Sequence, residues 1–345
     1  MIAAWPRRRW LIAGIAVAAL LAAVGSYSLA GSARTSPALT RITVRPTPIP
    51  SFDNRDPSRV RFGEMEFRGG LALTSDYEPF GGISALHMEP DGSHFLALSD
   101  KGSWLRTRIV YENGKPAGIA DAEMAPMLAP DGRLLAARGW YDTESLAEAD
   151  GALYVGIEWV EKIVRFDYAR DGLGARGQPI EVPADFKTFT YNKSLECLAA
   201  PPKGSPLAGT LIVVTEHSLD AQGNHRSYLL NGGQAARFSV KRSGGFDVSD
   251  CAILPPADLL LLERSYSPVR GVAMRIRRIP LGLKPGALVD GAPLIEADLA
   301  YQIDNMEGIR LHRNAAGGTI VTLISDDNFS VLQRNLLLQF ALVGE

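Results

Sequence analysis

The chain has 345 residues, with 36 lysines and arginines against 38 aspartates and glutamates, and only two cysteines. The net charge of −2 gives no electrostatic basis for nucleic-acid binding, and two cysteines cannot form a disulfide-rich scaffold or a four-thiolate zinc site. With 46% hydrophobic and 21% charged residues, the composition is that of a globular domain, which argues against wholesale disorder and a multispanning membrane protein.

The start of the chain is typical of an export signal. Arg7, Arg8 and Arg9 precede an uncharged apolar stretch over residues 10–30, and small residues follow it. This order describes a secretory signal, and the arginine pair followed by an aromatic residue and a leucine resembles a twin-arginine signal. About 20 apolar residues also suffice to span a bilayer. We therefore predict a signal peptide or membrane anchor over residues 1–33, which places the domain in the periplasm, released or anchored to the inner membrane.

Residues 34–59 are rich in proline, serine and threonine and are expected to form a linker, and residues 60–345 are expected to form one all-β domain. Short runs rich in valine, isoleucine and leucine alternate there with turn motifs such as Pro90-Asp91-Gly92 and Asn231-Gly232. Glycine supplies the positive φ that such tight turns need, and asparagine or aspartate tolerates it. We see no long amphipathic helix in this region.

One two-strand unit recurs five times along the domain. A short strand with an acid or a serine in its middle leads through a turn to an apolar strand that ends in an acid. The units are anchored on Ser84, Glu144, Glu196, Asp250 and Glu307, at intervals of 52 to 60 residues. This period, with about four strands in each unit, indicates a β-propeller. Third strands are expected over residues 106–111, 163–167, 228–230 and 274–279.

The two ends of the domain are expected to complete one blade together. The last unit ends in an apolar strand over residues 335–342, and the strand-like segment 64–74 precedes the first unit. Closure by both termini removes the exposed edge of an open sheet. We count five blades. A degenerate sixth blade within residues 40–80, and a β-sandwich or two-domain β protein, are the alternatives.

The two cysteines, Cys197 and Cys251, occupy the same place in consecutive units. That equivalence favours two separate, buried thiols, although an oxidising compartment would allow them to pair.

A propeller brings equivalent residues of every blade to one mouth of a central channel, so the acids of the repeat are expected to form rings. The inner strands supply the expected catalytic acids and bases: Glu144, Glu196, Asp250 and Glu307. A second group at the ends of the following strands is the expected metal site: Asp100, Glu158, Glu216, Glu263, Asp326 and Asp327. Clustered carboxylates suit a divalent cation, most simply Ca²⁺, which would hold a phosphate and activate water.

Four further residues are expected at the same mouth. Ser84 takes the place of the acid in the first unit, and Lys193, His217 and Arg264 lie beside acids in the sequence. These cations would receive an anionic substrate or neutralise the carboxylates. The alternative for all the acids is structural, because an acid at a strand end can cap a turn or bind the backbone of the neighbouring blade.

Several of these motifs resemble the phytase-like esterase family. Glu307-Gly308-Ile309, Ile324-Ser325-Asp326-Asp327-Asn328 and Gln333 resemble its C-terminal signature, and Gly81-Gly82-Ile83-Ser84 with Leu98-Ser99-Asp100-Lys101-Gly102 resembles its opening motif. Glu158, Glu216 and Leu262-Glu263-Arg264-Ser265 match the acid-tipped strands between them. The resemblance covers about residues 63–345 and implies an exported bacterial propeller with phytase-like or esterase-like activity. Ser84 departs from the pattern, since the other units carry an acid there.

These observations lead to one expectation and two alternatives. We expect metal-assisted hydrolysis of a small phosphate ester at the channel mouth. The first alternative is a periplasmic propeller that binds a ligand or partner without catalysis. The second is a carboxylesterase with Ser84 or Ser99 as the nucleophile, for which no neighbouring histidine or Gly-x-Ser-x-Gly motif gives support.

Overall fold

The computed structural model describes residues 39–190 and 192–344, which form five β-sheets of four to six strands. The predicted signal or anchor over residues 1–33 lies outside these ranges. In the part of the chain that the structure describes, no helix is long and apolar enough to cross a membrane.

Twenty-four strands make up the five sheets. Four precede the first repeat: β1 (Thr40–Arg41), β2 (Arg45–Ile49), β3 (Arg61–Phe62) and β4 (Met65–Thr74). The first blade contains β5 (Ile83–Met88), β6 (His94–Ser99), β7 (Ser103–Glu112) and β8 (Lys115–Pro126). The second contains β9 (Thr143–Ala149), β10 (Ala152–Ile157), β11 (Lys162–Phe166) and β12 (Gln178–Pro179).

The remaining blades follow the same order. The third contains β13 (Cys197–Ala199), β14 (Leu211–Leu219), β15 (His225–Asn231) and β16 (Gln234–Val240). The fourth contains β17 (Asp247–Leu254), β18 (Asp258–Ser267), β19 (Gly271–Pro280) and β21 (Ala292–Asp298), while the intervening β20 (Leu288–Val289) pairs with β16. The fifth contains β22 (Asn305–Arg313), β23 (Thr319–Asp326) and β24 (Asn335–Leu342). Within the described residues, helix occurs only as short turns at Ala136–Arg138, Glu158–Val160, Tyr168–Asp171, Gly172–Gly174 and Ala184–Thr188.

The innermost strands β5, β9, β13, β17 and β22 lie side by side around a central axis, and β22 returns to β5. The chain is therefore a five-bladed β-propeller, as the five sequence repeats predict. The expected third strands are also found, within β7, β11, β15 and β19.

The segment before the first repeat belongs to the propeller. Strand β4 pairs with β24 over nearly its whole length, so both termini complete the fifth blade, as expected. Gly70 is needed in this pairing because a Cβ there would lie 3.0 Å from the carbonyl oxygen of Leu337. Strand β1 extends the first sheet and β2 the fifth. Residues 40–80 therefore hold no sixth blade, and the expected linker over 34–59 is already part of the domain from residue 40.

Apolar side chains from the middle strands fill the space between adjacent blades. The largest cluster joins the fourth and fifth blades and includes Leu260, Leu262, Met306, Leu323 and Leu338, all fully buried. Side chains along a strand point alternately to the two faces of the sheet, so the apolar residues of each strand lie on a sheet face. The packing of one blade against the next therefore follows from the strand pattern.

The two cysteines form a disulfide, so the prediction of separate thiols is wrong. Cys197 on β13 and Cys251 on β17 have Cα atoms 5.2 Å apart. Equivalent residues of consecutive innermost strands are neighbours around the ring, and this separation lies within the range that a disulfide spans. The equivalence of the two positions in the repeat, from which we predicted separate thiols, places the two cysteines next to each other.

Candidate functional site

A β-bulge interrupts the innermost strand of four blades near its start. One extra residue faces the second strand in each case: Ser84, Glu144, Ser249 and Glu307. A bulge re-aims the side chain that it carries. The acids at Glu144 and Glu307 consequently reach the cavity at this end of the channel.

The ring expected from the repeat is shifted by one residue in the fourth blade. Ser249, rather than Asp250, occupies the bulged position there. The second strand of each blade contributes the residue that follows the partner of the last residue before the bulge. In the first and fifth blades this residue is Asp100 and Asp326, which follow the partners of Ile83 and Met306. In the fourth blade it is Arg264, which follows Glu263, the partner of Val248. The second ring therefore consists of four acids and one arginine: Asp100, Glu158, Glu216, Arg264 and Asp326.

All of these residues except Glu216 line a cavity of about 870 Å³, which we call the acidic mouth. Two guanidinium groups, of Arg264 and Arg334, and eight carboxyl groups surround it, and the acids are Asp100, Asp142, Glu144, Glu158, Glu196, Asp304, Glu307 and Asp326. Six of the eight acids are among those that the repeat pattern singled out, and the structure brings them together with Arg264.

Arg264 is the central cation of the acidic mouth. Its Nη1 lies 2.9 Å from Glu307 Oε1 and donates to Asn305 Oδ1 at 2.7 Å. Its Nη2 lies 3.2 Å from Glu216 Oε1 and 3.9 Å from Glu196 Oε1. Burial alone would lower the pKa of Arg264, but the carboxylates of Glu307, Glu196 and Glu216 raise it above its usual value. The guanidinium thus stays charged and acts as a counter-ion.

The acids of the mouth hold their protons more tightly than usual. Burial, followed by the charge of Asp326, raises the pKa of Asp100 to about 8, and burial raises that of Glu158 to about 8. Burial and neighbouring carboxylates also raise the pKa values of Glu144, Glu196 and Glu307 well above the glutamate range. Near neutral pH the mouth therefore offers protonated carboxyl groups as well as carboxylates.

Several carboxyl oxygens in the mouth have no hydrogen-bond partner among the described residues. They are Asp100 Oδ1, Asp142 Oδ2, Glu196 Oε2 and Glu307 Oε2. A buried polar atom without a partner costs free energy unless a ligand, water or proton satisfies it. These unpartnered oxygens indicate that the inner surface of the mouth binds a polar group.

The donor set does not fit a divalent cation. Among residues 39–190 and 192–344, no three histidine, cysteine, aspartate or glutamate side chains are arranged so that they could hold a metal ion. The space between Glu196, Glu216 and Glu307 is taken by the Arg264 guanidinium. The expected calcium site is therefore not formed by these residues as they stand.

Three of the predicted site residues lie in the propeller wall. The Ser84 hydroxyl is buried and donates to the Thr143 carbonyl of the next blade. Asp250 is fully buried, bound to Arg310 at 2.7 Å. Glu263 is fully buried between Arg275 and Arg277, at 2.8 and 2.7 Å. These contacts are the structural alternative that the sequence left open.

Three others lie beside the mouth and have partners of their own. Lys193 is exposed, and its Nζ lies 3.4 Å from Glu216. His217 Nδ1 lies 3.0 Å from Asp247. Asp327 accepts hydrogen bonds from the Gly82 amide at 2.9 Å and from Asn335 at 2.7 Å, so it fixes a loop.

Sequence reasoning missed part of the mouth. Asp142 and Asn305 each lie two residues before a ring acid, and the period of two along a strand could have indicated that they share its face. Apolar side chains of the rim also line the cavity, and no local motif predicts them: Tyr266, Val272, Leu299, Ile303 and Leu332.

Comparisons with known proteins give a family. A family model described as phytase-like, esterase-like activity of phytase, matches residues 78–329. No curated protein matches the chain. Among solved structures, the chain is similar to U3-55K, with 12% identity, a TM-score of 0.40, and coverage of 76% of this chain and 96% of that one. It is also similar to the N-terminal domain of Nup159 (11%, TM-score 0.39, 83% and 97%) and to Myxococcus xanthus glutaminyl cyclase (11%, TM-score 0.37, 76% and 92%).

Proposed function

The chain belongs to the phytase-like family, esterase-like activity of phytase, and from this premise we propose that it is a hydrolase that cleaves an ester in the acidic mouth. The observation that carries the proposal is the set of buried carboxyl groups around one guanidinium, in a cavity open to solvent. Groups of this kind supply general acids and bases at neutral pH.

Glu307 is suited to act as the general base. Its Oε1 is held by Arg264 at 2.9 Å and by Asn305 at 2.8 Å, while its Oε2 has no partner among the described residues. Burial raises the pKa of Glu307, and Arg264 opposes that shift and favours the carboxylate. An oriented carboxylate with one unoccupied oxygen can accept a proton from an attacking water.

Glu144 is suited to act as the general acid. Among the residues that the structure describes, no ion pair with a cation holds Glu144, and burial together with Glu196 raises its pKa well above the usual range. A protonated Glu144 can deliver its proton to the leaving oxygen of the ester. Arg264, which lines the same cavity, would stabilise the negative charge that develops on the substrate oxygen in the transition state.

The charge of the mouth bears on the kind of ester. The sequence-based expectation was a phosphate ester held by Ca²⁺, and that mechanism needs a metal site that the residues do not form. Eight carboxyl groups against two guanidinium groups disfavour a phosphate dianion, because like charges repel strongly in a partly buried site. We therefore propose a carboxyl ester as the substrate class, and phosphate release is the comparison that tests it.

We also retain the prediction that the domain works outside the cytoplasm. The Cys197–Cys251 disulfide supports this, since such bonds persist mainly in oxidising compartments.

The proposal is tested by hydrolysis of p-nitrophenyl butyrate and p-nitrophenyl phosphate by the purified domain. Glu307→Gln should reduce kcat on the butyrate about 100-fold or more, the usual contribution of a general base. Glu296→Gln, an exposed glutamate on β21, is the matched control and should retain full activity. Unchanged turnover in Glu307→Gln would contradict the role of the mouth, and no turnover of either substrate would favour a binding propeller.

A further inference from the structure

The acidic mouth has two chemically different sides. The first and second blades contribute only acids: Asp100, Asp142, Glu144 and Glu158. The fourth and fifth blades contribute Asp304, Glu307, Asp326 and Arg334, and they also supply every apolar side chain of the lining: Tyr266, Val272, Leu299, Ile303 and Leu332. Arg264, on the fourth blade, marks where the two sides meet.

The apolar side is exposed to an unusual degree. Tyr266 is 73% exposed, Leu299 56% and Leu332 89%, although all three line the same cavity as the acids. Val269 and Val331, in the same loops, are almost fully exposed. Contiguous apolar surface beside a polar site is a feature of ligand-binding grooves.

The backbone supports this apolar side. Leu299 lies across Gly271, where a Cβ would come within 2.3 Å of Leu299 Cδ1. Gly271 also has a φ of +73°, so an L side chain there would be strained as well as crowded. Leu299 therefore packs over Gly271, at the turn between β18 and β19.

We infer that the substrate is an uncharged carboxyl ester whose acyl group is apolar and lies on the fourth and fifth blades. Its alcohol portion lies on the acidic side, where carboxyl groups favour a hydroxyl-rich or positively charged group over an anionic one. We assign the apolar side to the acyl group of the substrate because its apolar side chains line the same cavity as the carboxyl groups. This inference rests on the proposed function and adds the chemistry of both halves of the substrate.

The reaction written for this substrate is a balanced hydrolysis. The oxygen of water forms a bond to the acyl carbon, and its proton passes to the Glu307 carboxylate. The bond between the acyl carbon and the alcohol oxygen then breaks, and Glu144 gives a proton to that oxygen. The products are one carboxylic acid and one alcohol, and no oxidant, reductant or co-substrate other than water is consumed.

The experiment compares kcat/KM for p-nitrophenyl acetate and p-nitrophenyl octanoate. Wild type should prefer the octanoate, and Leu332→Ser and Leu299→Ser should each lower the octanoate-to-acetate ratio about tenfold, as loss of apolar contact does in substrate pockets. The loss should fall mainly on kcat/KM for the octanoate. Leu288→Ser removes an apolar side chain that is 58% exposed on β20, away from the mouth, and should leave the ratio unchanged.

The outcomes separate this inference from the proposed function. Hydrolysis of both esters with no chain-length preference, or with a ratio that Leu332→Ser and Leu299→Ser leave unchanged, would overturn the inference and leave the esterase proposal standing. Faster turnover of p-nitrophenyl phosphate than of either ester would also overturn it. Hydrolysis of none of the three would refute the proposed function itself. Binding of phosphatidylcholine vesicles that Leu332→Ser abolishes, without any change in the ratio, would assign the apolar side to a membrane instead.

Discussion

Replacement of Arg264 by methionine removes the one guanidinium that the acids of the ring share. Arg264 lies within 4 Å of Glu307, Glu216 and Glu196. Removing one partner from a buried ion pair costs about 3–5 kcal/mol, since the other charge is left without compensation. We expect a loss of that size in the free energy of unfolding near pH 8, where the carboxyl groups are most fully ionised.

The pH dependence of this loss identifies its cause. Without Arg264, the folded protein should bind at least one more proton than wild type, because the nearby carboxyl pKa values rise further above their unfolded values. A folded state that binds more protons than the unfolded state loses stability as pH rises, by about 1.4 kcal/mol per pH unit for each proton. The difference between variant and wild type should therefore grow by about 3 kcal/mol from pH 6 to pH 8.

Urea unfolding followed by tryptophan fluorescence at pH 6, 7 and 8 measures these quantities. Arg334→Met is the matched control, because Arg334 lines the same cavity but is 45% exposed and lies 3.5 Å from its partner Asp304. That variant should lose less than about 1 kcal/mol at every pH, as exposed pairs do. A loss for Arg264→Met that is equally small, or that does not change with pH, would refute the account of Arg264 as the counter-ion of the mouth.

Two further predictions separate the mouth from the wall and from metal chemistry. Glu263→Gln leaves the buried Arg275 and Arg277 without their full counter-charge, so the free energy of unfolding should fall by about 3–5 kcal/mol. The kcat of the enzyme that remains folded should stay within twofold of wild type. A large fall in kcat would place Glu263 in the catalytic machinery. Dialysis against excess chelator should leave ester hydrolysis unchanged, because no described group of residues forms a metal site, and activity that chelator removes and Ca²⁺ restores would contradict this.

Much of the fold was accessible from the sequence, because the signals are local. Alternating apolar residues and turn motifs are read within ten residues, and the five repeats give the blade number. The pairing of β4 with β24 was also predictable, since Met65–Thr74 is strand-like and the last unit needs a partner. The early strands β1 and β2 were not, because their proline-rich segment reads as a linker.

The site was only partly predictable, because strand register decides which side chains meet. A shift of one residue turns a side chain to the opposite face of a sheet. The fourth blade shows this: the bulge lies at Ser249, so Asp250 is directed to Arg310 in the wall, and Arg264 takes the ring position expected for Glu263. Nothing local to Leu262-Glu263-Arg264 indicates which of the two charges enters the mouth.

The central claim is that the acidic mouth hydrolyses an ester with a carboxylate as base and a protonated carboxyl group as acid. The most direct test is the pH dependence of kcat/KM for ethyl butyrate, whose leaving alkoxide needs a proton, in wild type and in Glu144→Gln. Burial and Glu196 raise the pKa of Glu144 well above the usual range, so the account predicts a bell-shaped wild-type profile whose rate falls at alkaline pH as Glu144 loses its proton. Glu144→Gln should show a strongly reduced rate without that alkaline fall. A wild-type rate that rises steadily with pH, and that Glu144→Gln leaves unchanged, would contradict it.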